Sequence, residues 1–228
     1  MSNSLYGELE KLIKEYEEDF HTIRSERLVM KNYPKVLAMS AASSFEYQIK
    51  NRCQEFIDNP LLPINPNYPN ISSLRGRKPI VDQMFAKLEG YYDSNGVEQL
   101  HAEKFYDFFG GQAFKLIVIA NFNSELTDKL QIITNRINGL QSLLGQDDKY
   151  DYDYAKQCDL KDELECCTFD DAENSYLNLK LRRNRVAHDY INGLSDTFED
   201  LQKFYNKAVI YVVALELSIM SLTAPPTT

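Results

Sequence analysis

The sequence predicts an all-α fold. Apolar residues recur at spacings of three and four along most of the chain, no segment keeps a two-residue alternation, and no internal repeat appears. At 228 residues the chain has room for one sizeable domain, with or without an added subdomain. A composition of 43% hydrophobic and 26% charged residues is that of an ordinary soluble globular protein.

The first element spans about Ser4 to Arg24. Leu5, Leu9, Leu12, Ile13, Tyr16, Phe20 and Ile23 take helical spacing, and Glu8, Glu10, Glu15, Glu17, Glu18 and Asp19 fill the opposite face. Residues 1–33 are therefore read as an N-terminal amphipathic helix. It is acidic where a membrane-surface helix is rich in Lys and Arg, so it is expected to pack against protein. Residues 34–223 are read as one helical domain and 224–228 as a flexible tail.

Within that domain, a helix is expected from about Lys35 to Asp58, with Val36, Leu37, Ser40, Ser44, Phe45, Tyr47, Ile49 and Phe56 on its buried side. The Pro- and Asn-rich stretch Asn59 to Asn70 is a loop on turn chemistry, followed by a small basic cluster of Arg75, Arg77 and Lys78. Pro79 suits the first position of a third helix running to about Tyr91. A turn at Asp93-Ser94-Asn95-Gly96 and a short helix from Val97 to Phe105 come next, broken by Phe105 to Gly111. A long helical region is predicted for about Gln112 to Leu144, with an interruption near Asn121 to Ser124. Gly145 to Phe169 is an acidic insertion, expected to be solvated loop or loosely held short helix; its carboxylates lack the Gly and closing Glu of a calcium loop. A helix from about Asp170 to His188 then stops at Asp189-Tyr190-Ile191-Asn192-Gly193. Asp196-Thr197 can cap a last helix from Phe198 to about Leu222.

The most apolar run, Ala208 to Leu222, is short for a bilayer span and is interrupted by Glu216, so it reads as a buried helix. The N-terminus shows no basic-then-apolar secretory pattern, so the expected compartment is the cytoplasm, with no membrane partner. Cys53, Cys158, Cys166 and Cys167 match no zinc spacing and are expected to be reduced thiols; neither a metal nor a cofactor is expected. The net charge of −9 excludes a generally basic nucleic-acid-coating surface, so any RNA contact must come from a local patch.

One such patch exists at Lys180-Leu181-Arg182-Arg183-Asn184-Arg185-Val186-Ala187-His188-Asp189-Tyr190. On a helix, Tyr176, Leu179, Arg183, Val186 and Tyr190 share a stripe, which places Arg183 among apolar and aromatic neighbours. An Arg there needs an anionic or interfacial reason, because burying its charge without a partner is costly. His188 follows Asn184 by four residues and is its neighbour. Arg183 and His188 are separated by roughly 140° around an ideal helix. They can converge if the helix ends at His188, or if two copies face each other across a two-fold axis. The same residues also suit a basic helix end that complements the helix dipole.

Arg183-Asn184-x-x-x-His188 resembles the R-x(4–6)-H motif of the HEPN superfamily, with Ala187 before the His. Ala42-Ser43-Ser44-Phe45-Glu46 resembles the early helix of the RiboL-PSP type of that family, and Phe105-Tyr106-Asp107-Phe108-Phe109-Gly110 its aromatic-Phe-Gly element. Together these cover most of Pro34 to Leu222 in the right order.

The resemblance implies a homodimeric HEPN-like helical bundle in which two motifs face one composite cleft. It also implies a metal-independent endoribonuclease acting as a toxin or phage-defence effector, restrained by an antitoxin or defence partner. In that chemistry, imidazole, which titrates near neutrality, takes the proton of a ribose 2′-OH or protonates the leaving 5′-oxygen. A guanidinium stabilises the phosphate, and the product ends in a 2′,3′-cyclic phosphate. The catalytic residues implied are Arg183, Asn184 and His188. Lys180, Arg182, Arg185, Tyr190 and Glu46 are the expected substrate-binding set, with Glu46 also a partner for Arg183. The alternative is a non-catalytic HEPN module that binds a nucleotide or a partner protein.

Overall fold

The computed structural model describes residues 27–59, 63–65, 67, 80–125, 162, 165–190 and 194–223. In chain order these form α1 (Arg27–Asp58), α2 (Ile80–Phe85), β1 (Glu89–Tyr92), β2 (Glu98–His101) and α3 (Glu103–Tyr106), the last followed by a 3-10 turn at Asp107–Phe109. Helix α4 covers 112–125, α5 Phe169–His188 and α6 Phe198–Ser221. The predicted N-terminal helix, the Arg75–Lys78 cluster, the stretch 126–144 and most of the acidic insertion lie outside the described residues.

Helices α5 and α6 begin where their caps stand. Thr168 Oγ1 accepts from the Asp171 N–H at 3.1 Å while Asp171 Oδ2 accepts from the Thr168 N–H at 3.2 Å. Thr197 and Asp200 repeat the same reciprocal pair at 3.2 and 3.1 Å. Each box satisfies two donors that a helix start leaves open. The hydrogen bonds from Thr168 and Thr197 hold the Asp171 and Asp200 carboxyls below the usual carboxylate range.

The core forms where α1, α5 and α6 pack against one another. Leu37, Ala41, Phe45 and Ile49 place a four-residue stripe of α1 fully inside. Tyr176, Leu177 and Leu179 of α5 and Leu201, Ala208, Tyr211, Val212 and Leu215 of α6 meet it. Phe45 stacks on Tyr205 with ring centroids 5.6 Å apart. A polar knot crosses this core: the Tyr106 hydroxyl donates to Glu173 and lies 2.8 Å from the Tyr211 hydroxyl. Helix α6 is long and apolar enough to cross a membrane by length and composition. Its apolar face is covered by α1 and α5, and its buried Glu216 accepts from Arg52 Nε and Gln48 Nε2, each at 2.5 Å.

Five expectations are corrected. The chain is mostly helical but carries one antiparallel hairpin, with Glu89 opposite His101 and Tyr92 opposite Glu98. Residues 89–91, assigned to the end of a helix, are a strand; so are Glu98–His101 of the short helix expected from Val97 to Phe105, which is helical only from Glu103. The predicted turn between them is present, with Asp93 Oδ1 accepting from Asn95 N–H at 2.8 Å and Val97 N–H at 2.9 Å. Helix α2 stops early because its end is held from outside: Lys180 Nζ donates to the carbonyls of Phe85 at 3.3 Å and Leu88 at 2.6 Å. Second, Pro34 lies inside α1 rather than before it, since a missing N–H removes one rung of the ladder without ending the helix. Third, α4 runs unbroken through Asn121 to Ser124, where Phe122 is buried and Asn121 Nδ2 donates to Ser218 Oγ at 2.8 Å. Fourth, Tyr47 is 65% exposed, because two residues after Phe45 a helix presents its other side. Finally, the α5 surface meant to bind substrate loses Lys180 to the interior.

Candidate functional site

Arg183 faces α1. Its Nη2 donates to Glu46 Oε2 at 2.5 Å, and the two side chains retain 23% and 19% of their surface. Tyr176, Leu179 and Val186, the apolar members of the predicted stripe, are buried beside it. Arg183 Nε is buried with no hydrogen-bond partner, and no described residue accepts from Nη1. Glu46 is also 3.4 Å from Lys50 Nζ, which in turn is 3.3 Å from Asp82. A line of alternating charge thus crosses from α5 over α1 to α2. The expected pairing of Glu46 with Arg183 is present; the position of Arg183 inside that line is what the sequence could not give.

His188 looks another way. Helix α5 continues regularly through it, and the backbone leaves the helix only at Asp189 (φ −140°, ψ 87°). One copy therefore keeps the angular separation of an ideal helix, and Arg183 and His188 do not meet within it. Asn184, Arg185 and His188 instead line an open groove of about 550 Å³ between the end of α5 and β1. Its opposite wall is the backbone of Gly90 with Tyr91 and Tyr92. His188 is exposed and Asn184 half-buried, and among the described residues neither side chain has a hydrogen-bond partner.

The strand lies this close because position 90 is glycine. A Cβ there would stand 2.5 Å from Leu100 Cδ2 and 3.1 Å from the Leu177 carbonyl oxygen of α5. Arg185 spans the groove wall: Nη1 donates to the Tyr92 hydroxyl at 3.0 Å, and its guanidinium carbon sits 4.9 Å above the Tyr92 ring. Burial and the Glu98 carboxylate raise the Tyr92 pKa against the opposing pull of Arg185.

The remaining predicted residues serve other ends. Lys180 is 2% exposed, with its ammonium 3.6 Å from the centroid of Phe85, and burial pulls its pKa down to about 7. It is a cap for α2, not a surface cation. Arg182 is spent on the junction with α6, donating from Nε to Asp196 at 2.8 Å and from Nη1 to Asn178 Oδ1 at 2.8 Å, over the ring of Phe204. Tyr190 is half exposed; its carbonyl accepts from buried Lys35 Nζ at 2.5 Å, which ties the end of α5 to α1. Of the four cations that the sequence concentrates here, Arg185 alone lines the groove.

Sequence reasoning missed the strand wall: Glu89, Tyr91 and Tyr92 were assigned to a helix and its end. The adjacent tyrosines before an Asp-Ser-Asn-Gly turn were the available signal, since aromatic residues next to a tight turn favour strand. Among the described residues no three His, Cys, Asp or Glu side chains converge as metal ligands would. Cys53 is buried, and burial pushes its thiol up to about 12, where it is no nucleophile. Comparisons with protein-family models, with curated proteins and with solved structures give no match. The chemistry of the groove and of the Arg183 pair therefore carries the functional reading.

Proposed function

We propose that this chain is a metal-independent endoribonuclease of the HEPN type, working as a homodimer and cutting RNA by attack of the ribose 2′-oxygen on the adjacent phosphorus. One observation carries the reading: a half-buried Arg183 held by Glu46 shares a helix end with His188, an exposed imidazole without a partner among the described residues. A guanidinium used only as a helix-end cation would aim at the last carbonyls of α5. Arg183 aims across at α1, and among the described residues its Nε and Nη1 have no acceptor. His188 takes the 2′-OH proton, the new 2′-O–P bond forms, and the P–O5′ bond breaks as the leaving oxygen gains a proton from a protonated imidazole. Arg183 stabilises the charge on the phosphate, and Asn184 donates to a phosphate oxygen or orients His188. Because a single copy turns Arg183 and His188 apart, a second copy supplies the missing partner, and both imidazoles are then at hand as base and acid.

The commitment of Arg183 to Glu46 also suits the second reading, a non-catalytic module that binds a nucleotide or a partner protein. Incubating total RNA and tRNA with the protein in EDTA, beside Arg183→Ala and His188→Ala, separates the two. Cleavage by the wild type alone, leaving 2′,3′-cyclic phosphate ends, is the expected result. An inert wild type puts the binding module ahead, and equal cleavage by all three places the chemistry elsewhere. Expression of a toxin or defence effector of this kind should arrest growth, with relief by His188→Ala.

A further inference from the structure

We infer that the outer edge of β1 is a docking site for an extended segment of a partner protein, which adds to the hairpin as a third, antiparallel strand and covers His188. The hairpin itself carries the docking. The inference rests on the ribonuclease reading only in that such a partner would restrain the enzyme.

Hydrogen-bond parity defines the edge. Beside the turn, the Asp93 N–H donates to the Val97 carbonyl at 2.9 Å, which makes Asp93 and Val97 a bonded pair. Bonded pairs alternate along an antiparallel ladder, so Tyr91 with Gln99 and Glu89 with His101 are bonded pairs as well. The N–H and C=O groups of Gly90 and Tyr92 therefore point away from β2. The sheet has two strands, and among the described residues these four groups have no hydrogen-bond partner. Helix α5 leaves them open. A Cβ on Gly90 would meet the Leu177 carbonyl oxygen at 3.1 Å, so α5 lies against the sheet face that carries Gly90 and Tyr92. The groove follows the edge instead: Glu89, Gly90, Tyr91 and Tyr92 all line it, whereas a strand face offers only alternate residues.

Main-chain donors and acceptors repeated at every second residue are the pattern that another strand completes. The edge also lacks guards against pairing, since Glu89 is its one charged residue and it holds no Lys or Pro. Alternation then fixes the kind of segment. Side chains of the added strand opposite Gly90 and Tyr92 face Asn184, Arg185 and His188 across the groove, where a carboxylate is matched by the guanidinium and the imidazole. The others fall on the opposite face, beside the Tyr91 ring, which is 45% exposed and shares that face with His101. A β-branched residue suits that neighbour. The carboxylates of Glu89 and Asp189 line the same groove and disfavour a run of phosphates along it, so the occupant is peptide and not RNA.

The probe is the fluorescein-labelled peptide Lys-Thr-Val-Glu-Val-Thr-Lys, whose anisotropy is read with the full chain. One derivative is N-methylated on Glu and both Thr, the residues whose N–H groups would face β1; another is N-methylated on both Val, whose N–H groups would face solvent. On the protein, Tyr92→Pro removes an outward N–H without touching the ladder to β2, and Tyr92→Ala is its control, each checked by thermal unfolding. The parent peptide should bind saturably and slow the cleavage of RNA. Methylation on Glu and Thr, or Tyr92→Pro, should weaken binding at least about tenfold, as the loss of main-chain bonds predicts. Methylated Val and Tyr92→Ala should stay within about threefold of their parents. No binding below about 1 mM, or equal loss with both methylated peptides, overturns the docking edge whatever the protein does to RNA. The two methylated peptides decide the matter alone if Tyr92→Pro does not fold. Undiminished cleavage at saturating peptide overturns the covering of His188. Edge-dependent binding by a protein that cuts no RNA keeps the docking site and sinks the ribonuclease.

Discussion

Replacing Glu46 by Gln keeps the shape of the side chain and removes the charge that holds Arg183. The pair spans 2.5 Å, with 23% and 19% of the two side chains exposed. A hydrogen bond to a charged group is worth about 1.5–3 kcal/mol when sheltered, and a fully exposed ion pair about 0–1 kcal/mol. The partial exposure places this pair between them, at about 1–2 kcal/mol. For a chain of 228 residues that corresponds to a fall in Tm of roughly 2–8 °C. Urea unfolding of Glu46→Gln, Arg183→Gln and the double variant closes a cycle in which the double change should cost about 1–2 kcal/mol less than the sum of the singles. Cleavage by folded Glu46→Gln should drop about tenfold at saturating RNA, because a released guanidinium no longer waits in one orientation. Additivity within about 0.3 kcal/mol would refute the pair. Coupling with undiminished cleavage would refute its part in the chemistry.

Three further outcomes follow from the same geometry. Lys180 has a folded pKa of about 7 against an ordinary 10.5. Below pH 7 both states hold the proton and the burial penalty is complete; between about 7 and 10.5 only the unfolded state holds it, so stability should rise, by up to about 5 kcal/mol. Urea midpoints across that window should climb more steeply in the wild type than in Lys180→Met, and parallel slopes would contradict the assignment. Gly90→Ala should cost about 1–3 kcal/mol, because Leu100 can rotate away from the new methyl but the Leu177 carbonyl cannot; unchanged thermal unfolding would show that the strand does not lie so close to α5. Thr168→Ala should cost about 1 kcal/mol by opening the capping box of α5, and a change below about 0.3 kcal/mol in urea unfolding would show that the box contributes nothing.

Much of the helical framework was legible because helices are specified locally. Thr168 and Thr197 stand next to their partners in the chain, so the starts of α5 and α6 could be read to within a residue or two. The stripe of Leu37, Phe45 and Ile49 could be read from its period alone. The hairpin was not legible: its strands are four residues each, too short for alternation to declare itself. Gly90 is in a strand because of the backbone it lies against, and Lys180 ends α2 from 92 and 95 residues away.

By itself, then, the sequence determined a largely helical chain and a motif in which Arg183, Asn184 and His188 sit on one helix end. It also determined that Arg183 would interrupt an apolar stripe and need an anion. Only the tertiary structure decided where the long cations of that helix would go. Arg183 reaches a carboxylate 137 residues earlier in the chain, Lys180 turns inward, Arg182 joins α6, and Arg185 alone reaches the groove. The physical reason is reach. A backbone cap is fixed by neighbours a few residues away, whereas the end of a lysine or arginine settles wherever packing brings an acceptor within about 3 Å.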